Sequence, residues 1–306
     1  MTENRGTLFL NTRSGSSTDA VLAQVEERAR AESIELIEIS PELDYKRVVK
    51  ERLAAGRRLF ITGGGDGTIH HIVQAMVGTE AILGILPLGT MNHLARDLNI
   101  PLDWKQAFDL AVNGPTRQID AAVVNGRYFL NNIMLGVYPS MLYHRERLRE
   151  KGGKLQAYAR ALPLAMHRFP SVSLELEVPG HSEGVRTQLF AVSVNPYDLT
   201  KPGLIAPKTT LDRGTLAIYW FPFSNRWRFL WTLGRYLFGH IDGVQGFREL
   251  TTTKLRVTAS RPRMRFAIDG EMVEMTSPLE ISIVPASLHV KLPAKREEKL
   301  TGNSTS

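Results

Sequence analysis

Between Thr7 and Leu98, four short apolar runs each lead through a polar or glycine-bearing break into an amphipathic segment. The runs are Thr7–Asn11, Ile34–Ile39, Arg58–Thr62 and Ala81–Leu86. Thr18 stands where a helix N-cap belongs, before Val21, Leu22, Val25 and Ala29 on one helical face. Val48, Val49 and Leu53 mark the next helix, and Ile72 to Met76 the one after. Strand and helix in strict alternation predict an α/β unit with a parallel sheet covered on both faces. After residue 120 the rhythm changes to strand-like runs, including Gln118–Val124, Arg127–Asn132, Thr187–Val194 and Leu279–Val284. These predict a C-terminal antiparallel, β-sandwich-like domain. The expected division is 1–120, 121–290 and a tail over 291–306.

Composition limits the chemistry. The 306 residues contain no cysteine, which removes disulfides, thiolate metal sites and a thiol nucleophile. No signal-peptide core opens the sequence, and no apolar run approaches the roughly 18 residues of a membrane span. The expectation is a soluble, cytoplasmic protein that at most rests on the inner face of a membrane. The net charge of +7 is uneven. Residues 1–120 carry 13 Lys/Arg against 16 Asp/Glu, or −3, and residues 121–306 carry 25 against 15, or +10. A basic second half points to an anionic partner.

The strongest chemical signal is Gly63, Gly64, Gly65, Asp66, Gly67 and Thr68, set between an apolar run and a helix. Glycines let the backbone approach a phosphate, and a helix start aims unpaired N–H groups at it. Gly89–Thr90 and Ser14–Gly15 take equivalent positions after two other runs. In an open α/β sheet the three loops converge at the carboxyl ends of the strands. No GxxxxGK[ST] is present, Thr68 occupies the place of the last glycine of the dinucleotide fingerprint, and DFG and HRD are missing.

LNTRSG near the start, GGGDGT, PLGTMNHLAR (Pro87–Arg96) and AIDGE (Ala267–Glu271), in that order, resemble the diacylglycerol kinase catalytic family of soluble lipid kinases. The resemblance spans nearly the whole chain and implies a lipid kinase or NAD kinase-like fold. It implies ATP phosphates over Gly63, Gly64, Gly65, Asp66, Gly67 and Thr68, with Mg²⁺ near Asp66. Asn11, Ser14, Gly15, Thr90 and Asn92 would complete the nucleotide site. Asp269 would be the general base for a lipid hydroxyl, supported by Glu271. Asp269-Gly270 is equally a strong hairpin-turn signal, and both roles are compatible.

Three departures stand out. His71 and His93 replace acids of the family pattern, and Arg213 replaces a third in LDRG. Arg213 is expected to bridge Asp66 and Asp120 in place of a structural metal, because a guanidinium forks across carboxylates and keeps its proton. His70, His71 and His93 lack the spacing of a zinc site.

Two basic stretches, His144–Phe169 and Asn225–His240, set arginines beside bulky apolar residues and suit an interfacial helix on anionic lipid. The expected partner is therefore a lipid substrate at a membrane surface, reached by peripheral anionic contact. Nucleic acid is not expected, for want of a recognition motif, and a homodimer is compatible with the sequence. The function expected is transfer of the ATP γ-phosphate to diacylglycerol or a related lipid alcohol. The rival readings are an NAD kinase-type enzyme and a degenerate member that only binds nucleotide.

Overall fold

The computed structural model describes residues 5–13, 18–148, 171–198, 208, 210–221, 225–237 and 248–294. Ser14 and Gly15, most of the first basic stretch, the end of the second and most of the tail lie outside these residues.

The first unit runs β1 (Gly6–Leu10), α1 (Asp19–Ala31), β2 (Ile34–Glu38), α2 (Tyr45–Ala54), β3 (Leu59–Gly64), α3 (Asp66–Met76), β4 (Ile82–Pro87), α4 (His93–Asp97) and α5 (Trp104–Asn113). Its strands lie in the order β2-β1-β3-β4, all parallel. The chain leaves β1 to one side for β2 and returns on the other side for β3. That reversal makes a topological switch point between β1 and β3, the usual ligand crevice of such sheets. Thr18 caps α1, Asp44 caps α2 and Asp103 caps α5, each accepting from a backbone N–H three residues on. Helix α3 is different: Gly65 occupies its N-cap and supplies no side-chain bond.

The second unit contains β5 (Thr116–Val124), β6 (Arg127–Phe129), β7 (Asn132–Gly136), α6 (Val137–Leu148), β8 (Val172–Val178), β9 (His181–Thr187), β10 (Leu189–Val194) and β11 (Leu216–Phe221). It continues through α7 (Arg226–Leu237), β12 (Arg248–Thr252), β13 (Lys254–Ala259), β14 (Arg263–Ile268), β15 (Glu271–Thr276) and β16 (Leu279–Lys291). Six strands form one antiparallel sheet, β12-β11-β10-β7-β14-β15. The fold is thus an α/β unit with a parallel sheet joined to an antiparallel β unit.

The junction is more continuous than the sequence implies. Strand β16 pairs with β5 along both halves. Its other edge adjoins β13 antiparallel at first and then β4 in parallel. A bulge between Val284 and Leu288, with Ala286 at φ +47°, bends the strand from one environment to the other. Two apolar cores result: Ala121, Leu288 and Val290 pack in the first, Ala122, Leu279 and Ile281 in the second. Leu292 also belongs to the first core.

The buried Asp120 fastens this crossing. It accepts hydrogen bonds from Ala286 N at 2.8 Å, Gly214 N at 2.6 Å and Asn195 Nδ2 at 3.0 Å. Amide donors satisfy the carboxylate, so the expected Arg213 bridge is corrected. Arg213 is exposed, its backbone N–H donates to Asn195 Oδ1, and among the described residues no ion pair joins it to Asp66 or Asp120.

Candidate active site

The glycine run is divided between strand and helix. Gly63 and Gly64 still belong to β3 and are buried. A β-carbon on Gly63 would meet Leu10 Cδ1 at 2.8 Å, so the missing side chain there makes room for core packing. Gly65, Asp66, Gly67 and Thr68 form the turn into α3. Asn11 donates to Thr68 Oγ1 at 2.8 Å, tying the end of β1 to this turn across the switch point.

The loop after β4 packs on the same turn. A β-carbon on Gly89 would strike the α-carbon of Gly65, and it would meet Asn92 Oδ1 at 2.7 Å. Asn92 has φ +49° and donates to Pro87 O and Gly89 O, which closes the loop. Its Oδ1 is buried with no partner. Thr90 is exposed beside it. Asp66 reaches across to α4, where Oδ2 accepts from His93 N at 3.1 Å and Oδ1 from Leu94 N at 3.0 Å. It therefore caps α4, because Asn92 provides no side-chain cap there.

Asp269 and Gly270 connect β14 to β15, with φ +49° and +83°. Two successive positive φ values fit the tight hairpin turn that Asp-Gly favours. The turn carries its carboxylate inward. Oδ1 accepts from Asn131 N at 2.9 Å and Asn132 N at 3.1 Å, and Oδ2 accepts from Leu130 N at 2.9 Å. His70 Nδ1 stands 3.4 Å from Oδ2. These amides explain why the strand-like run Arg127–Asn132 breaks after Phe129: its N–H groups turn to the carboxylate rather than to a ladder.

Burial pushes the Asp269 carboxyl up, but the contact with His70 and the amides of Leu130 and Asn131 outweigh it, holding it below the ordinary 3.8. Arg127 Nε donates to His70 Nε2 at 3.0 Å, so the Nδ1 of that ring carries the proton facing Asp269. Arg127 also pairs with Glu271 Oε2 at 3.2 Å. The other Glu271 oxygen, Oε1, would clash with a β-carbon added to Gly67. The second unit's turn is therefore seated on the first two turns of α3.

Several residues of this neighbourhood went unread in the sequence. Asp97 accepts from Asn131 Nδ2 at 2.6 Å. Burial raises its carboxyl to about 6, against the pull of Lys208 and with the push of Asp66 and Asp269. Tyr197 OH donates to Asn131 Oδ1 and receives from Asn132 Nδ2. Lys208 Nζ donates to Leu130 O at 2.9 Å. Burial lowers this ammonium to about 8, although Asp97, Asp269 and Asp120 favour its charge. Only three-dimensional proximity reveals Asp97, Tyr197 and Lys208, since each stands outside the glycine motifs. His71 is exposed. No cluster of three or more His, Cys, Asp or Glu with metal-site geometry occurs among the described residues.

Known proteins share the sequence family and the fold. The model of the diacylglycerol kinase catalytic domain matches residues 5–124. A probable YegS-like lipid kinase of Pseudomonas syringae pv. syringae (strain B728a) is 30% identical over 300 residues, 96% of this chain and 95% of that protein. The diacylglycerol kinase of Bacillus subtilis (strain 168) is 28% identical over 265 residues, 84% of this chain and 85% of its own length. The fold matches the crystal structure of a putative diacylglycerol kinase from Bacillus anthracis str. Sterne with a TM-score of 0.74 at 20% identity, covering 95% of this chain and 98% of that one. With its glycine turn, its Asp-Gly turn and relatives matched along nearly its full length, the chain belongs to the diacylglycerol kinase catalytic-domain family.

Proposed function

We propose that the protein is an ATP-dependent lipid kinase that transfers the γ-phosphate to the hydroxyl of diacylglycerol or a related lipid alcohol. The observation that carries this reading is the seating of the Asp269 turn on α3, directly beyond the glycine turn. A hydroxyl bonded to Asp269 would lie close to a phosphate held at the helix start.

The residues present fit a nucleotide. The start of α3 has no side-chain cap, the loop after β4 packs backbone to backbone on that start at Gly65 and Gly89 and leaves a cradle of main chain beside it, and Asn92 Oδ1 is a buried acceptor without a donor. Backbone N–H groups at a helix N-terminus suit phosphate. Asn11, Thr68 and Thr90 border the cradle, and Ser14 and Gly15 would complete it. Mg²⁺ characteristically uses one or two carboxylates plus substrate phosphates. Asp66 fits that role, since each oxygen accepts one N–H and keeps a second lone pair. When bound, the ion would neutralise phosphate charge.

Asp269 is held ionised, which makes it a weak base but a firm anchor. Phosphoryl transfer through a loose transition state asks mainly for alignment of the attacking oxygen, and the proton can leave late. Three backbone amides fix the carboxylate, and His70 makes its longest contact. An incoming hydroxyl would compete with His70 for Oδ2. The same crowding favours a second reading, a nucleotide-binding member without transfer, in keeping with His71, His93 and Arg213.

Membrane contact belongs to this proposal. Trp227 and Trp231 of α7 are 69% and 61% exposed and share one helical face, and Arg235 stacks on the Trp231 ring. Aromatic rings beside arginine suit the interface of an anionic bilayer. No helix among the described residues is long and apolar enough to cross a membrane.

Labelled ATP with Mg²⁺, incubated with diacylglycerol and with a total lipid extract, is the direct test. Label in the lipid phase supports transfer. Nucleotide binding with label in no lipid would leave the second reading standing and remove the first.

A further inference from the structure

We infer that Lys208 is a positioning residue for Asp269, acting across the peptide groups that join Leu130, Asn131 and Asn132. This rests on the reading of Asp269 as the residue that receives the acceptor hydroxyl.

The peptide between Leu130 and Asn131 has a charged group on each side. Its carbonyl oxygen accepts from Lys208 Nζ at 2.9 Å, while its N–H donates to Asp269 Oδ1 at 2.9 Å. The next peptide repeats the pattern more weakly. Asn131 O lies 3.4 Å from Lys208 Nζ, and Asn132 N donates to Asp269 Oδ1 at 3.1 Å. In a trans peptide the C=O and N–H point in opposite directions. Ammonium and carboxylate therefore lie at opposite ends of the same dipoles, with each dipole aligned favourably to both charges.

A cation on the carbonyl polarises the peptide and strengthens its N–H as a donor, and the effect is largest where water is excluded. Lys208 makes no direct ion pair among the described residues, so the peptides are its hydrogen-bonded route to Asp269, beside the attraction of the two charges through space. The neighbouring acids give it company: Asp97 and Asp120 line the same small cavity as Lys208, together with Asn195 and Leu130. Asn131 O has other donors, Val194 N at 3.0 Å and Ser193 Oγ at 3.4 Å. Its position is secured without the lysine. The Leu130 carbonyl is where the charge matters most.

A neutral side chain of similar length could fill the space without charging the peptide, and this separates positioning from packing. Lys208→Met and Lys208→Ala are assayed as full-length chains for transfer from ATP to lipid, beside Asp269→Asn. The expected result for Lys208→Met is a kcat lowered about tenfold or more, with the KM for ATP unchanged. Propylammonium should restore much of the lost rate of Lys208→Ala, while 1-propanol, a neutral donor of the same length, should not. In ¹⁵N-resolved spectra the Asn131 and Asn132 amide protons should move upfield in Lys208→Met. Wild-type kcat in Lys208→Met beside an inactive Asp269→Asn overturns the inference, as does equal rescue by 1-propanol. Should the wild type phosphorylate no lipid, the kinase reading fails by itself, and unmoved amide resonances would then dispose of the Lys208 role independently.

Discussion

Glu271 lies against Gly67, with Oε1 so near that a β-carbon added there would clash with it. The contact joins the last acid of the Asp-Gly-Glu turn to the first turn of α3. Arg127 holds the other oxygen, so the turn is gripped from both sides. The Asp269 carboxylate follows from this grip, because its own turn is only two residues long.

Substituting Asp269 by Asn keeps the shape but exchanges one acceptor oxygen for a donor that faces backbone N–H groups. Turnover should fall by about 10²-fold or more, the scale of a lost acid–base or anchoring group. ATP affinity should stay near wild type, which calorimetry of the nucleotide complex will check.

Gly89 and Gly65 meet backbone to backbone, so no side-chain rotation can relieve a β-carbon at Gly89. Gly89→Ala should therefore push the two loops apart, weakening ATP binding and costing about 1–3 kcal/mol of stability, as overpacking does. Gly67→Ala has a softer neighbour in the Glu271 side chain. It should disturb turnover more than folding, and parallel melting curves and rate measurements will separate the two effects.

Asp120 and Arg213 should give opposite results. Asp120→Ala removes the acceptor of three donors at the β5–β16 crossing and should cost about 2 kcal/mol or more. The exposed Arg213→Ala should stay within about 0.5 kcal/mol of wild type. Urea unfolding of both variants provides the comparison. A large loss on removing Arg213 would contradict the amide-based account of Asp120.

Asp97 predicts a pH effect of definite sign. Its carboxyl rises from 3.8 to about 6 on folding, so the native state binds the extra proton between those values. Stability should therefore fall as pH rises from about 4 to about 6. Asp97→Asn should remove that component of the slope while retaining an acceptor for Asn131 Nδ2. Denaturant midpoints at closely spaced pH values will read it.

The exposed indoles of α7 predict interfacial binding. Replacing Trp227 and Trp231 together by Ala should lower partition onto anionic vesicles by about tenfold or more, given ~1.5–3 kcal/mol for burying a large apolar side chain. Phosphorylation of a lipid dispersed in detergent should change much less. Co-sedimentation with vesicles at two salt concentrations provides the measurement.

Local patterns in the sequence determine much of this protein. The alternation of apolar runs and amphipathic segments sets the parallel sheet and its helices, because period and capping are properties of neighbouring residues. The glycine turn at Gly65–Thr68 is legible as a run of neighbouring residues, and the tight turn at Asp269-Gly270 is equally local, fixed by two residues that tolerate positive φ. Long-range pairing had to decide the rest. Nothing near Leu130 in the chain announces that its N–H will serve Asp269 and its carbonyl Lys208, since the three are brought together by separate strands and loops. Arg213 shows the same limit from the other side. Its place in the motif suggested a bridge between carboxylates, yet Asp120 took its donors from Gly214, Ala286 and Asn195. A buried carboxylate is satisfied by whichever donors the packed backbone presents, and only the tertiary structure decides which those are.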